Sequence, residues 1–213
     1  MPRTPAIKTP TAGIILAAGE SRRFGAPKQL LRLGGRLLIE WALTAALNSN
    51  LDQVLLVLGF EHERIRCSLF SAAAHPKCKL LVNSNYRNGQ STSLKTGIAS
   101  IRQRFPSVMF LLGDQPLVDT ALINLLLERY AESNKPICAP THAGTRGNPV
   151  LFARPFYSAI LKLMGDRGAR DLIADHPDQV LAVEIPDARV FLDIDHQEDV
   201  SKIAGLLKSR QPS

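Results

Sequence analysis

Apolar runs of strand length alternate with amphipathic segments of helix length along this chain, and that alternation leaves few folds open to it. Gly13-Ile-Ile-Leu-Ala-Ala18 precedes a helical pattern over Leu38 to Asn48, Gln53 to Leu58 precedes one over Glu61 to Phe70, and Lys79 to Val82 precedes one over Ser91 to Arg104. Val108 to Leu112 reads as a fourth strand, and Asp119 stands where a helix running to about Glu132 needs its N-cap. Pro136 to Ala139, Val150 to Phe152, Val180 to Glu184 and Val190 to Leu192 are further strand candidates. Strands this continuously apolar are buried on both faces, as in a parallel sheet covered by helices. The expectation is an α/β fold, a three-layer, mostly parallel, doubly wound sheet of Rossmann-like type. A single domain is expected, since no repeat, linker or composition break divides the chain. Ligands of such sheets sit beyond the carboxyl ends of the strands, so the chemistry belongs just after them.

A chain of 213 residues can bury a core without staples. Cys67, Cys78 and Cys138 are odd in number and widely spaced, which suggests reduced thiols rather than a disulfide framework or a zinc site. His62, His75, His142, His176 and His196 are scattered without ligand spacing. The first ten residues hold three prolines and no apolar leader, so the expected domain spans 12–207, between a disordered tail over 1–11 and a short one over 208–213. No run approaches the length of a membrane span, and the chain reads as cytoplasmic.

The net charge of +7 is concentrated: residues 1–36 carry Arg3, Lys8, Arg22, Arg23, Lys28, Arg32 and Arg36 against Glu20 alone. Such a cluster suits a polyanion. The basic residues surround glycines in a loop instead of lining one helix, and no aromatic-rich sheet pattern is present, which favours a triphosphate over nucleic acid. The loop itself is Leu16-Ala-Ala-Gly19-Glu-Ser-Arg-Arg-Phe-Gly25-Ala-Pro-Lys28-Gln-Leu-Leu31. Gly19 and Gly25 let the backbone approach phosphate oxygens, Ser21 adds a hydroxyl, and Arg22, Arg23 and Lys28 supply charge. It is neither a Walker A loop nor a dinucleotide fingerprint. Taken alone, two glycines and some arginines after a strand also describe an ordinary surface turn.

The whole string resembles the signature of the MobA-like nucleotidyltransferases, and among them the molybdenum cofactor cytidylyltransferases. Asn83-Ser-Asn-Tyr86-Arg-Asn-Gly89-Gln-Ser-Thr-Ser-Leu94, Leu112-Gly-Asp114-Gln-Pro116, Gly147-Asn-Pro-Val-Leu-Phe152, Gly165-Asp-Arg-Gly168-Ala-Arg170 and Asp193-Ile-Asp195 follow in the family's order, over nearly the whole chain. The resemblance implies transfer of CMP from CTP to the phosphate of the molybdenum pterin cofactor, with Mg²⁺ or Mn²⁺ as cofactor and a molybdoenzyme or its maturation factor as recipient of the product. The guanylyl branch typically reads L-A-G-G where this chain has Leu16-Ala-Ala-Gly19. The alternatives are another NTP or acceptor, such as GTP or a sugar phosphate, or a carrier that binds the pterin without catalysis.

Joining two anions calls for positioning, a divalent cation and positive side chains rather than a covalent nucleophile. Asp114, at the end of a buried strand, is the expected metal ligand, although an Asp before a proline-containing bend also makes turns. Asp193 and Asp195 follow the last strand and could place a second carboxylate on the same metal; Asp195 is the preferred candidate, and with Glu198 it equally reads as the N-cap of the terminal helix. Lys28 would stabilise charge on the α-phosphate or align the acceptor, and Arg22 would hold the outer phosphates. The resemblance assigns the nucleotide to Leu16, Ala17, Ala18, Gly19, Ser21, Arg22, Gly25, Lys28, Asn83, Gly89, Ser91 and Ser93. It assigns the acceptor to Gly147, Asn148, Pro149, Asp166 and Gly168; the family commonly carries His where Asn148 stands.

Overall fold

The computed structural model describes residues 9–21 and 24–208. β1 (Thr11–Ala17) leads through a short hairpin, β2 (Arg32–Leu33) and β3 (Arg36–Leu37), into α1 (Leu38–Leu47) and β4 (Gln53–Leu58). α2 (His62–Ser68), α3 (Phe70–Ala73), β5 (Cys78–Val82), α4 (Gln90–Ile101), β6 (Ser107–Leu112) and α5 (Thr120–Ala131) follow. The second half holds β7 (Ile137–His142), β8 (Thr145–Arg146), β9 (Val150–Ala153), α6 (Tyr157–Lys162), α7 (Ala169–Asp175), β10 (Val180–Glu184) and α8 (Gln197–Lys208).

The main sheet runs in the order β10-β7-β9-β6-β1-β4-β5, with β8 beside β7. β5, β4, β1 and β6 are mutually parallel, as are β7 and β10, while β9 runs antiparallel to both β6 and β7. The chain thus forms a mixed, largely parallel α/β sheet. β9 is the reversed member because a turn at Ala143 and Gly144 and the short β8 send the chain straight back, and so short a return cannot make a parallel crossover.

Both faces are covered, which is why the central strands β1, β4 and β6 are almost wholly apolar. Ile15, Leu56, Met109 and Leu111 pack on one side with Leu43 and Leu47 of α1 and Ile123 and Leu126 of α5. Ile14, Leu55, Val57 and Phe110 pack on the other side with Leu94 and Ile98 of α4, Ile160 of α6 and Leu172 of α7. A third cluster positions the site: Ile203 and Leu207 of α8 lie against Leu33, Leu38 and Leu117, and Ile194 is buried with them. That packing carries Asp193-Ile194-Asp195 to the end of β6, where Ile194 N–H donates to the Asp114 carbonyl at 3.1 Å.

Two expectations need correction. Val190 to Leu192 is not a strand: Ala188–Phe191 forms a 3-10 turn that Asp187 opens by accepting from Arg189 N–H, and Val190 is buried by packing without a ladder. The helical pattern over Glu61 to Phe70 ends at Ser68 and resumes as α3. The hairpin at Gly34-Gly35, both with positive φ, carries the two-glycine turn chemistry that two-residue loops require. No helix among the described residues is long and apolar enough to cross a membrane.

Asp119 caps α5 by accepting from Leu122 N–H at 2.9 Å. Asp119→Ala is expected to cost about 1 kcal/mol, a drop of roughly 2–4 °C in melting temperature measured by circular dichroism.

Candidate active site

At the end of β1 the chain is held by its carbonyls. Gln29 Nε2 donates to the Ala17 and Gly19 carbonyls, each at 3.0 Å, and Phe60 N–H donates to the Ala18 carbonyl at 3.1 Å. In a planar trans peptide the N–H points opposite the carbonyl, so the amides of Ala18, Gly19 and Glu20 are directed away from these partners. Ser21 then takes positive φ and its carbonyl accepts from Phe24 and Gly25 N–H, turning the loop back, while its hydroxyl accepts from Lys28 N–H at 3.2 Å. A cavity of about 560 Å³ opens beside this loop.

Lys28 starts a 3-10 turn, Lys28–Leu30, that sends its side chain across to the far side of the cavity. Its ammonium lies 2.8 Å from Asp114 Oδ2, 2.8 Å from Asp195 Oδ1 and 2.9 Å from the Ile194 carbonyl. Burial opposes this charge, but Asp114 and then Asp195 outweigh it and hold the lysine above its usual pKa, so it stays cationic through the neutral range. Asp193 also lines the cavity; burial first, then the charges of Asp114 and Asp195, push its carboxyl up. Asp199, in the first turn of α8, reaches back so that its Oδ2 accepts from the N–H groups of Asp195 and His196, while the Asp195 carboxylate is turned toward Lys28.

The donors suit a hard divalent cation. Asp114 Oδ1 is buried with no hydrogen-bond partner among the described residues, Asp114 Oδ2 and Asp195 Oδ1 converge on one positive charge, and every donor is oxygen. Among the described residues no three His, Cys, Asp or Glu side chains form a ready-made cage. Two carboxylates with the remaining ligands from phosphate and water is the arrangement expected of Mg²⁺ or Mn²⁺ at a nucleotide site.

The opposite wall begins where β5 ends. Asn83 donates from its buried amide to Thr92 Oγ1 at 2.8 Å and Ser93 Oγ at 3.0 Å, and accepts from Asn85 N–H, which folds residues 83–93 into one unit. Gly89 precedes α4 with φ of 97°, and a Cβ there would fall 2.2 Å from the carbonyl carbon of Gly165. The Gly165–Asp166 backbone is thereby pressed against the start of α4, and Asp166 Oδ1 accepts from Gln90 N–H at 3.4 Å. Arg87 closes the rim by donating to Glu20 Oε1 at 3.1 Å.

Leu16, Ala17, Ala18, Gly19, Ser21, Lys28, Gly89, Ser93, Asp114, Asp166 and Asp195 all line this one cavity. Asn83 and Ser91 lie buried behind its wall, Gly25 sits in the turn outside it, and Arg22 falls outside the described residues. Gly147 packs against Phe191, and neither it nor Asn148 and Pro149 line the cavity. Gly168 stands behind Gln90, whose Oε1 would meet a Cβ there at 2.7 Å. Asp193, the other carboxylate that the sequence offers for the metal, lines it as well. Gln29, Glu20, Tyr86, Arg87 and Gln90 also line it and are not site candidates from the sequence; all five fall inside the motifs, so their position in those strings is the available signal.

The MobA-like NTP transferase domain family matches residues 13–180. The purine catabolism protein PucB of Bacillus subtilis is 30% identical over 196 residues, 90% of this chain and 94% of its own. A protein of Thermococcus sibiricus named "Probable molybdenum cofactor guanylyltransferase" is 27% identical over 129 residues, 60% of each chain. Among solved structures, Rv0371c of Mycobacterium tuberculosis H37Rv has a TM-score of 0.81 at 27% identity, covering 93% of this chain and 100% of that one. The manganese complex of Rv0371c has a TM-score of 0.75 at 26% identity, covering 92% and 99%. The family match takes in the loop after β1, the Asp114 turn and the strands between them, and the chain belongs to the MobA-like NTP transferase family, as a nucleotidyltransferase.

Proposed function

We propose that the protein transfers CMP from CTP to the phosphate of the molybdenum pterin cofactor and releases pyrophosphate. The observation that carries this reading is the Lys28 ammonium held between Asp114 and Asp195 in the cavity that Ala18, Gly19 and Glu20 also line. The triphosphate lies along the loop amides, with Arg22 on its outer phosphates. An acceptor phosphate oxygen forms the new bond to the α-phosphorus as the bond to the bridging oxygen of the β-phosphate breaks, and pyrophosphate leaves with that electron pair. Lys28 stabilises the charge that builds on the α-phosphate, and Asp114 and Asp195 hold Mg²⁺ or Mn²⁺. The cation, when bound, supplies Lewis-acid polarisation of the phosphate oxygens. Residues 83–93 form the wall for base and ribose.

Two features support CTP and the pterin: Ala18, where the guanylyl branch has glycine, and the likeness to a relative named for the molybdenum cofactor. That same relative is named a guanylyltransferase, which makes GTP the second reading. Pyrophosphate release by purified protein with Mg²⁺ and the molybdenum pterin, offered CTP, GTP, ATP and UTP separately, decides between them. CTP-selective release is expected. Release with GTP alone assigns the guanylyl reaction, and no release with any NTP despite pterin binding points to a carrier.

A further inference from the structure

We propose that Gln29 is a positioning residue of the nucleotide loop: its buried side-chain amide keeps the Ala18 and Glu20 N–H groups facing the triphosphate. This rests on the nucleotidyltransferase reading and deepens it. Gln29 is only 4% exposed, and burying an amide is unfavourable unless its donors are satisfied. Both N–H bonds are satisfied by one short stretch of chain, the carbonyls of Ala17 and Gly19, and its Oε1 lies 3.5 Å from the Ser21 hydroxyl. β1 ends at Ala17, so the loop beyond it is shaped by this side chain where a strand would otherwise be shaped by its ladder. Each carbonyl that Gln29 draws toward itself turns the N–H of the same peptide the other way. A triphosphate therefore meets preset donors whose orientation was settled during folding.

Gln29 also connects the two halves of the site. It shares the Lys28–Leu30 turn with Lys28, whose ammonium is held by Asp114 and Asp195. Carboxylates, lysine, turn, glutamine and loop amides thus form one continuous chain of contacts, and the register of the loop relative to the carboxylates depends on the residue beside the lysine.

Two substitutions separate positioning from general support of the fold. Gln29→Glu keeps the shape but sets carboxylate oxygens against two carbonyl oxygens. Gln29→Leu removes the donors without adding charge, and serves if the glutamate variant does not fold. CTP and CMP binding to the full chain are measured by calorimetry, with GTP and GMP in parallel, beside Mn²⁺ binding by electron paramagnetic resonance and the melting temperature. The expected result is a loss of about tenfold or more in CTP affinity, the scale of one or two lost hydrogen bonds to charged oxygen, with CMP affinity and Mn²⁺ binding within a few-fold of wild type. Unchanged CTP affinity in a folded variant, or equal losses for CTP and CMP, overturns the proposal. A wild-type protein that binds no NTP instead overturns the nucleotidyltransferase reading beneath it.

Discussion

Asp114→Asn is expected to leave a folded protein whose metal-dependent turnover is lower by about three orders of magnitude, near the scale on which removal of one preorganised charge-stabilising group acts. The residue is carried by a fully buried strand: Val108, Met109, Phe110 and Leu111 of β6 are all 2% exposed or less. The strand is therefore rigid up to its end. Gly113 continues it, donating its N–H to the Leu16 carbonyl at 3.0 Å and lying so close to Ile39 that a Cβ would fall 2.8 Å from the Ile39 Cδ1. Asp114 is thus delivered to the cavity on a fixed backbone, with one carboxylate oxygen on Lys28 and the other buried with no protein partner among the described residues. An orphaned carboxylate oxygen at the end of a rigid strand is a cost to folding that a bound cation would relieve. Asparagine keeps the volume and removes the charge, so the melting temperature should move little: the ion pair with Lys28 is part-exposed and worth about 1 kcal/mol or less. Pyrophosphate release across a Mg²⁺ titration, beside Mn²⁺ binding, checks this. Turnover within tenfold of wild type with undiminished Mn²⁺ binding would remove Asp114 from the metal site.

How much of this was readable from sequence depends on whether a residue's role is set by its own segment. The central strands were legible because burial on both faces demands continuous apolar runs, and Asp119 because a cap is a local affair. Val190 looks the same as a strand residue in one dimension, yet its burial comes from packing by a 3-10 turn, and no local pattern separates the two. The two-residue strands β2 and β3 are too short to show a period. In the site, Lys28, Asp114 and Asp195 stand in motifs whose chemistry is plain. Gln29 carries no signal of its own in the string because its neighbour carries the charge, and its placement depends on which way a 3-10 turn faces it. Gly147, Asn148 and Pro149 occur in the right order along the chain, but β9 runs between β6 and β7, and order along a chain does not place a residue at the cavity.

Lys28→Met should have two opposite effects. In the nucleotide-free protein it is expected to tighten Mn²⁺ binding about tenfold, and in the reaction to lower turnover by roughly 10²-fold or more with a much smaller change in NTP affinity. The first effect follows from where the ammonium rests. It shares Asp114 Oδ2 and Asp195 Oδ1, so a cation seated on those carboxylates competes with it for the same oxygens. Removing a neighbouring positive charge from a part-buried site also removes a repulsion of kcal/mol size at an effective dielectric of about 20. Methionine has nearly the same length and an apolar end, so the change is one of charge more than of packing. The second effect follows from the reaction: a triphosphate supplies new oxygens for Lys28, and the charge on the α-phosphate is greatest in the transition state, where the lysine's contribution is greatest too. The two effects would make the variant a better metal binder and a poorer enzyme, a combination that general loss of structure cannot produce. Electron paramagnetic resonance of Mn²⁺ with and without CTP, set beside single-turnover rates, measures both. Unchanged Mn²⁺ affinity together with equal losses in NTP binding and rate would reduce Lys28 to an ordinary phosphate contact and leave Asp114 and Asp195 without the competition proposed for them.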